Sequence, residues 1–233
     1  TTPAPRTGGE SSTIVTPSTA PPFREPAVRV TKDAAARAAA RPRRLRILAV
    51  NDFHGALEAR PDAQNRARGG ALALAAAVQQ ARAECAPPAC TVVTLDGGDE
   101  FQGTPASNLA YGRPVVDVYR ALGVDAGALG NHEFDWGVDT LRARIRQAPY
   151  RILAANVTTA SGGRVPWTRP DTLIVRDGLR IGVVGLATPE TPNTTRASNV
   201  RGLRFTDMAR AFDARARLLR ARFPGLDVVE GDA

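Results

Sequence analysis

Apolar and polar positions fall in blocks along the chain, and block length separates strands from helices. The run LRILAVND (45–52) is short, apolar and closed by polar residues, the pattern of a buried strand. GGALALAAAVQQARAE (69–84) has the length and composition of a helix. TVVTLDGGD (91–99) predicts a second strand that runs into a glycine-rich loop. PVVDVYRALG (114–123) predicts a helix, with Pro early and Gly just past the end. DAGALGNHE (125–133) predicts a third strand, GVDTLRARIRQA (137–148) a helix and RILAANV (151–157) a fourth strand. TLIVRDGLRIGVVGLATPE (172–190) reads as a hairpin, because two β-rich runs flank Asp177-Gly178, a dipeptide suited to a type I′ turn. FTDMARAFDARARLLRARF (205–223) predicts a long helix with Thr206 as its N-cap, and DVVEGDA (227–233) the start of another strand.

Strands alternating with helices imply an α/β fold with at least partly parallel pairing. In such sheets functional groups collect where strands end. The first four predicted strands end in NDFHG, DGGD, GNHE and AANV, so carboxylate, imidazole and amide groups sit at adjacent strand ends.

Composition adjusts this picture in three places. Residues 1–44 are a Thr/Ser/Pro/Gly/Ala-rich tract followed by AAARAAARPRR, with almost nothing to bury, and read as a disordered linker of the kind that follows a removed export or lipoprotein signal. The net charge of +8 first suggests nucleic acid, but Lys32 is the only Lys, the Arg residues are scattered at helix-surface spacing, and no aromatics interleave them for base stacking. An Arg-rich RNA-binding module is therefore set aside, and no nucleic-acid partner is expected. No apolar run reaches the length of a membrane span. In ECAPPAC, a tight turn brings Cys85 and Cys90 within bridging range; a local disulfide is expected, as suits an exported chain. Two free thiols would suit the cytosol, and a zinc half-site would need a second Cys or His pair that does not follow.

The chain has two histidines, and both lie at predicted strand ends beside Asp or Asn. Asp52 and His54 are two apart, so an extended segment would turn both to one side, and both are ligands for first-row divalent ions. Asp99 follows Gly97 and Gly98, where backbone passes close to an ion and a carboxylate can bridge two cations. Asn131 adds a neutral amide oxygen. Asp52, His54, Asp99 and Asn131 thus offer part of a two-metal site with ions roughly 3.5–4 Å apart. His132 directly follows Asn131 and is expected off that ion; Asp135, three residues on, would fix its tautomer and raise its pKa. A cationic imidazole there suits phosphate, either stabilising phosphoryl oxygens or protonating a leaving alkoxide. Asp96 reads as a strand-end or turn residue, and Glu100 and Glu133 as supporting or solvent-facing groups.

NDFHG, DGGDEFQGTPASNL and ALGVDAGALGNHEFDWG together resemble the bacterial 5′-nucleotidase and UDP-sugar hydrolase branch of the calcineurin-like metallophosphoesterases, from about Leu45 to Asn156 with continuation through VGLATPET. The resemblance implies a four-layer α/β/β/α sandwich, incomplete at the C-terminus, with residues 45–233 the N-terminal part of the metallophosphoesterase domain and the C-terminal nucleotidase domain absent. It implies two divalent metal ions drawn from Zn, Mn, Mg, Co or Ca. Asp52 and His54 would ligate one, Asn131 the other, Asp99 would bridge them, and His132 with Asp135 would form the catalytic pair; Phe101, Gln102, Gly103 and Thr104 would be structural. The implied reaction is hydrolysis of 5′-nucleotides or related phosphoesters by a secreted, cell-surface or periplasmic monomer. The family draws further His ligands from two later motifs, and no His follows His132. The isolated chain is therefore expected to be inactive, and the alternative is a remnant that binds metal or phosphate weakly.

Overall fold

The computed structural model describes residues 44–232. The low-complexity linker expected over residues 1–44 lies outside the described residues except for Arg44, which already belongs to the first strand. In chain order the elements begin with β1 (Arg44–Val50), the two-residue strands β2 (Arg60–Pro61) and β3 (Ala67–Arg68), α1 (Gly70–Ala83), β4 (Cys90–Asp96), α2 (Pro105–Asn108) and α3 (Arg113–Leu122). They continue with β5 (Ala126–Ala128), α4 (Gly137–Gln147), β6 (Arg151–Leu153), β7 (Val157–Thr159), β8 (Asp171–Arg176), β9 (Leu179–Gly185), α5 (Thr191–Thr194), β10 (Leu203–Phe205), α6 (Met208–Arg222) and β11 (Val228–Asp232).

β1, β4, β5 and β6 form a parallel sheet in that order. β4 is buried along its whole length, which explains why CTVVTLD is rich in apolar and β-branched residues without strict alternation. The crossovers α1, α3 and α4 pack on one face of the sheet. α3 carries Val115, Val116, Tyr119 and Leu122 into a core shared with Leu141 of α4 and with Phe101 and Phe134. It ends at Gly123, whose left-handed backbone (φ 65°) closes the helix as the sequence predicts.

The opposite face meets a second sheet. β8 and β9 form an antiparallel hairpin, and β11 joins β9 in parallel. Val93, Leu95, Ala126 and Leu153 of the first sheet pack against Ile181 and Val183 of β9. α6 covers the outer face of the second sheet with Leu219 against Val184 and Leu186. The layers run helix, sheet, sheet, helix, the four-layer sandwich that the resemblance implies. Arg176 ties the hairpin to the first sheet through Asp125, whose Oδ2 lies 2.9 Å from the guanidinium and also accepts from the Thr94 amide at 2.9 Å.

The hairpin turns at Asp177 and Gly178 with φ of 49° and 78°, as the dipeptide predicts. Cys85 and Cys90 are disulfide-bonded and buried. Two local expectations change. Asp207, not Thr206, caps α6: its side chain accepts from the Arg210 amide at 2.8 Å, while the Thr206 hydroxyl donates to the Asn156 carbonyl at 3.1 Å. The fourth strand ends at Leu153, and Asn156 of AANV is a buried staple rather than a site group. Its amide nitrogen donates to the carbonyls of Ala187 (2.7 Å) and Thr206 (2.8 Å), and its oxygen accepts from the Ala187 amide (2.8 Å).

Candidate metal centre

Because β1, β4 and β5 are parallel neighbours, their C-terminal ends open on one edge. The loops after β1 and β4 are zipped together by backbone. Gly97 N donates to Val50 O (2.7 Å), Asp52 N to Gly98 O (3.1 Å), His54 N to Asp99 O (2.9 Å) and Gly55 N to Glu100 O (2.9 Å). This ladder replaces the extended segment expected for Asp52 and His54. Both residues take left-handed backbone, φ 52° and 49°, and converge through a turn rather than through strand alternation.

Glu133 fastens the third loop to the second. Its Oε2 accepts from Asp99 N (2.8 Å) and Gly130 N (2.7 Å), and its Oε1 accepts from Glu100 N (2.8 Å). The carboxyl is buried, not solvent-facing. Burial, joined by the charge of Asp99, pushes its pKa up to about 7 against the pull of the three N–H groups. Gly130 answers a packing demand: a Cβ there would sit 2.2 Å from Asp99 Oδ1. The glycine of GNHE is thus required by the carboxylate of DGGD, one loop away.

Beneath the loops lies a buried acidic layer. Asp96 Oδ1 accepts from the Gly98 amide at 2.8 Å and its Oδ2 from the Tyr119 hydroxyl at 2.6 Å; Glu100 Oε2 accepts from the Tyr150 hydroxyl. Burial above all, then the charges of Asp96 and Glu133, drive the Glu100 pKa well above the usual carboxylate range, only partly offset by the Tyr150 bond. A neutral acid suits a group in a water-excluded layer.

Above that layer the ligand-type groups meet. His54 Nδ1 lies 2.8 Å from the Gln102 carbonyl. A carbonyl only accepts, so Nδ1 carries a hydrogen and Nε2 is the ring atom turned to the site. Nε2 stands 3.6 Å from Asp52 Oδ1. A cation between an imidazole nitrogen and a carboxylate at that separation would be held by both. Asp99 spends Oδ1 on the His132 amide (2.8 Å). His54, Asp99 and His132 each offer a ligand atom within 4.8 Å of the others, and the two imidazoles meet edge-on with centroids 4.9 Å apart. His132 therefore stands closer to the ligand group than its sequence position beside Asn131 suggests. Asn131 opens the same loop, immediately before the 3-10 turn His132–Phe134.

The second imidazole is held from behind. His132 Nδ1 lies 2.6 Å from Asp135 Oδ2, Asp135 Oδ1 accepts from the Thr195 hydroxyl at 2.9 Å, and Asn199 Nδ2 donates to the Asp135 carbonyl at 2.9 Å. Burial alone would lower the His132 pKa, but the Asp135 bond and the charges of Asp99, Asp135 and Glu133 outweigh it and the net shift is upward. Thr195 and Asn199 lie some sixty residues downstream of Asp135, so no local pattern marks them. Gln102 contributes through its backbone carbonyl, which leaves no trace in residue type.

Two sheets between helices, with Asp, His, Asn and a His–Asp pair at neighbouring strand ends, define a metallophosphoesterase-type domain. No protein-family model matches the chain. It is 38% identical over 168 residues to bovine 5′-nucleotidase, across 66% of this chain and 28% of that protein. It is 30% identical over 194 residues to the cell wall protein Lmo0130 of Listeria monocytogenes, across 71% of this chain and 24% of that protein. The calcineurin-like phosphoesterase YfkN of Bacillus subtilis superposes with a TM-score of 0.68 at 26% identity, over 79% of this chain and 60% of that one. The chain belongs to the calcineurin-like 5′-nucleotidase family. It spans about a quarter of the length of these curated relatives, 24% and 28%.

Proposed function

We propose that this domain serves a metal-dependent hydrolase of 5′-nucleotides or related phosphoesters, with two divalent ions held by Asp52, His54, Asp99 and Asn131. The observation that carries the proposal is the approach of His54 Nε2 to Asp52 Oδ1 at 3.6 Å, with an Asp99 carboxylate oxygen within 4.8 Å of the His54 ligand atom. Carboxylate, imidazole and amide oxygen form a donor set suited to first-row divalent ions. Such ions, when bound, polarise phosphoryl oxygens and lower the pKa of water.

The chain's own residues supply the rest. Gln102 and the β1–β4 loop ladder fix His54 with Nε2 turned toward Asp52. Glu133 and Gly130 fix Asp99. Thr195 orients Asp135, and Asp135 holds His132 at Nδ1, which leaves the far nitrogen of the cationic ring as a donor toward a phosphoryl oxygen or a leaving alkoxide. A leaving group of that kind is the ribose 5′-oxygen of a nucleotide. The Cys85–Cys90 disulfide fits an oxidising compartment, and kinship with a cell wall protein supports a cell-surface or periplasmic setting. Among the described residues, no helix is long and apolar enough to cross a membrane.

The test is phosphate release from 5′-AMP by the polypeptide that carries these residues in the cell, assayed with Mn²⁺, Zn²⁺ or Co²⁺ and after exhaustive chelation. Release that returns with added metal is the expected result. Undiminished release from the chelated protein would refute the proposal.

A further inference from the structure

A second cavity, of about 490 Å³, opens where β6 begins, while the metal loops leave the other ends of the parallel strands. Its walls carry Arg151, Arg164, Arg169, Arg215 and Arg222 against a single carboxylate, Asp171, with Trp167 among them. Five arginines and one aspartate give these walls a net charge of +4. Many of the chain's arginines lie scattered on helices, but this cluster is different in kind. It draws on four separate segments: the start of β6, the 164–169 loop, the start of β8 and the length of α6.

The cluster has a fixed part and an open part. Arg215 donates through Nε to Asp171 Oδ2 at 2.6 Å, which anchors α6 to β8 and holds one wall in place. Arg222 lies over the Phe223 ring with its guanidinium carbon 5.0 Å from the centroid, and Arg164 and Arg222 are exposed at the rim. Trp167 is half-buried, its ring held edge-on to Phe134 at 6.5 Å between centroids. Guanidinium forks match phosphate oxygens in pairs and do not lose their charge at any working pH. The volume falls in the range of small-molecule sites and far exceeds a single phosphate. An indole beside guanidinium groups suits a flat heteroaromatic ring.

We propose that this cavity is a binding site for a nucleotide-sized phosphate ester, with the phosphoryl groups on the arginines and the ring beside Trp167. The site is separate from the metal centre and stands whether or not that centre hydrolyses nucleotides.

The test is calorimetric titration of the chain, with chelator present so that the metal centre takes no phosphate, using ADP, pyrophosphate and adenosine as probes. ADP binds, pyrophosphate binds more weakly, and adenosine gives no heat. The rim variant Arg164→Glu/Arg222→Glu changes two exposed residues, keeps the fold by circular dichroism, and weakens ADP at least about tenfold. In the unaltered chain, ADP affinity falls as salt rises, an independent check on the charge argument. No ADP binding, adenosine binding as well as ADP, or an unchanged affinity in the rim variant would each overturn the proposal. Pyrophosphate matching ADP would remove Trp167 from the site and overturn the nucleotide assignment.

Discussion

Replacing Gly130 by alanine adds one methyl group at the tightest point of the candidate centre. The new carbon would lie 2.2 Å from Asp99 Oδ1 and 2.5 Å from Asp99 N, where Cβ atoms do not come within 3.0 Å of a neighbour. The backbone of loop 97–99 or loop 129–131 must therefore shift by at least the 0.5 Å difference between 3.0 and 2.5 Å, and the Asp99 carboxylate by at least the 0.8 Å difference between 3.0 and 2.2 Å. The Asp99 backbone is held by Glu133 and by the β1 loop, so the carboxylate and its bond to the His132 amide give way first. Overpacking of this kind costs about 1–3 kcal/mol, a fall of about 2–12 °C in Tm for a domain of this size. A displacement near 1 Å at a reacting centre costs about 100-fold in turnover. The assay is scanning calorimetry together with Mn²⁺ titration. Gly163→Ala is the control, since its nearest neighbour, Thr159 Oγ1, would lie at 3.3 Å and its backbone is outside the left-handed region. Gly130→Ala with wild-type melting and wild-type Mn²⁺ affinity would refute the packing argument, and with it the placement of Asp99.

Other consequences are checked more simply. In the polypeptide that carries these residues in the cell, Asp99→Ala lowers turnover at least as far as His132→Ala if, as proposed, Asp99 serves both ions; wild-type turnover in Asp99→Ala would remove it from the site. Thr195→Val frees the Asp135 carboxylate and lowers kcat about 10-fold or more with little change in Tm, whereas an unchanged kcat would mean that Thr195 does not position the His–Asp pair. Cys85→Ser/Cys90→Ser lowers stability by about 2 kcal/mol, the entropy of closing a short loop, read from denaturant midpoints without reductant. Midpoints identical to the disulfide-bonded chain would contradict it.

The parts of this molecule that show in its sequence share a local cause. β4 is legible because a strand buried on both faces needs a run rich in apolar and β-branched residues, and α3 because Pro and Gly mark its ends. The hairpin is legible because the two positive φ angles at its turn select Asp-Gly. The grouping of Asp52, His54, Asp99 and His132 is legible because all four stand at successive strand ends. What the sequence hides is support from a distance. Glu133 looks like a solvent-facing neighbour of His132 until the fold brings three N–H groups from two loops to its carboxylate. Thr195 and Asn199 reach Asp135 only because α5 folds back over the loop after β5. Thr206 and Asp207 are both cap-type residues, but the fold gives the Thr206 hydroxyl to the Asn156 carbonyl and leaves the role to Asp207. The arginine cavity is invisible because its walls come from four segments whose charges look like ordinary surface.

The central claim is that the side chains gathered at the ends of β1, β4 and β5 surround divalent cations. Anomalous diffraction from crystals soaked in Mn²⁺ tests it directly. The account predicts two anomalous peaks roughly 3.5–4 Å apart, one bounded by Asp52, His54 and Asp99 and the other by Asp99 and Asn131. A map with no anomalous density in that cleft, from crystals saturated with the ion, would contradict it.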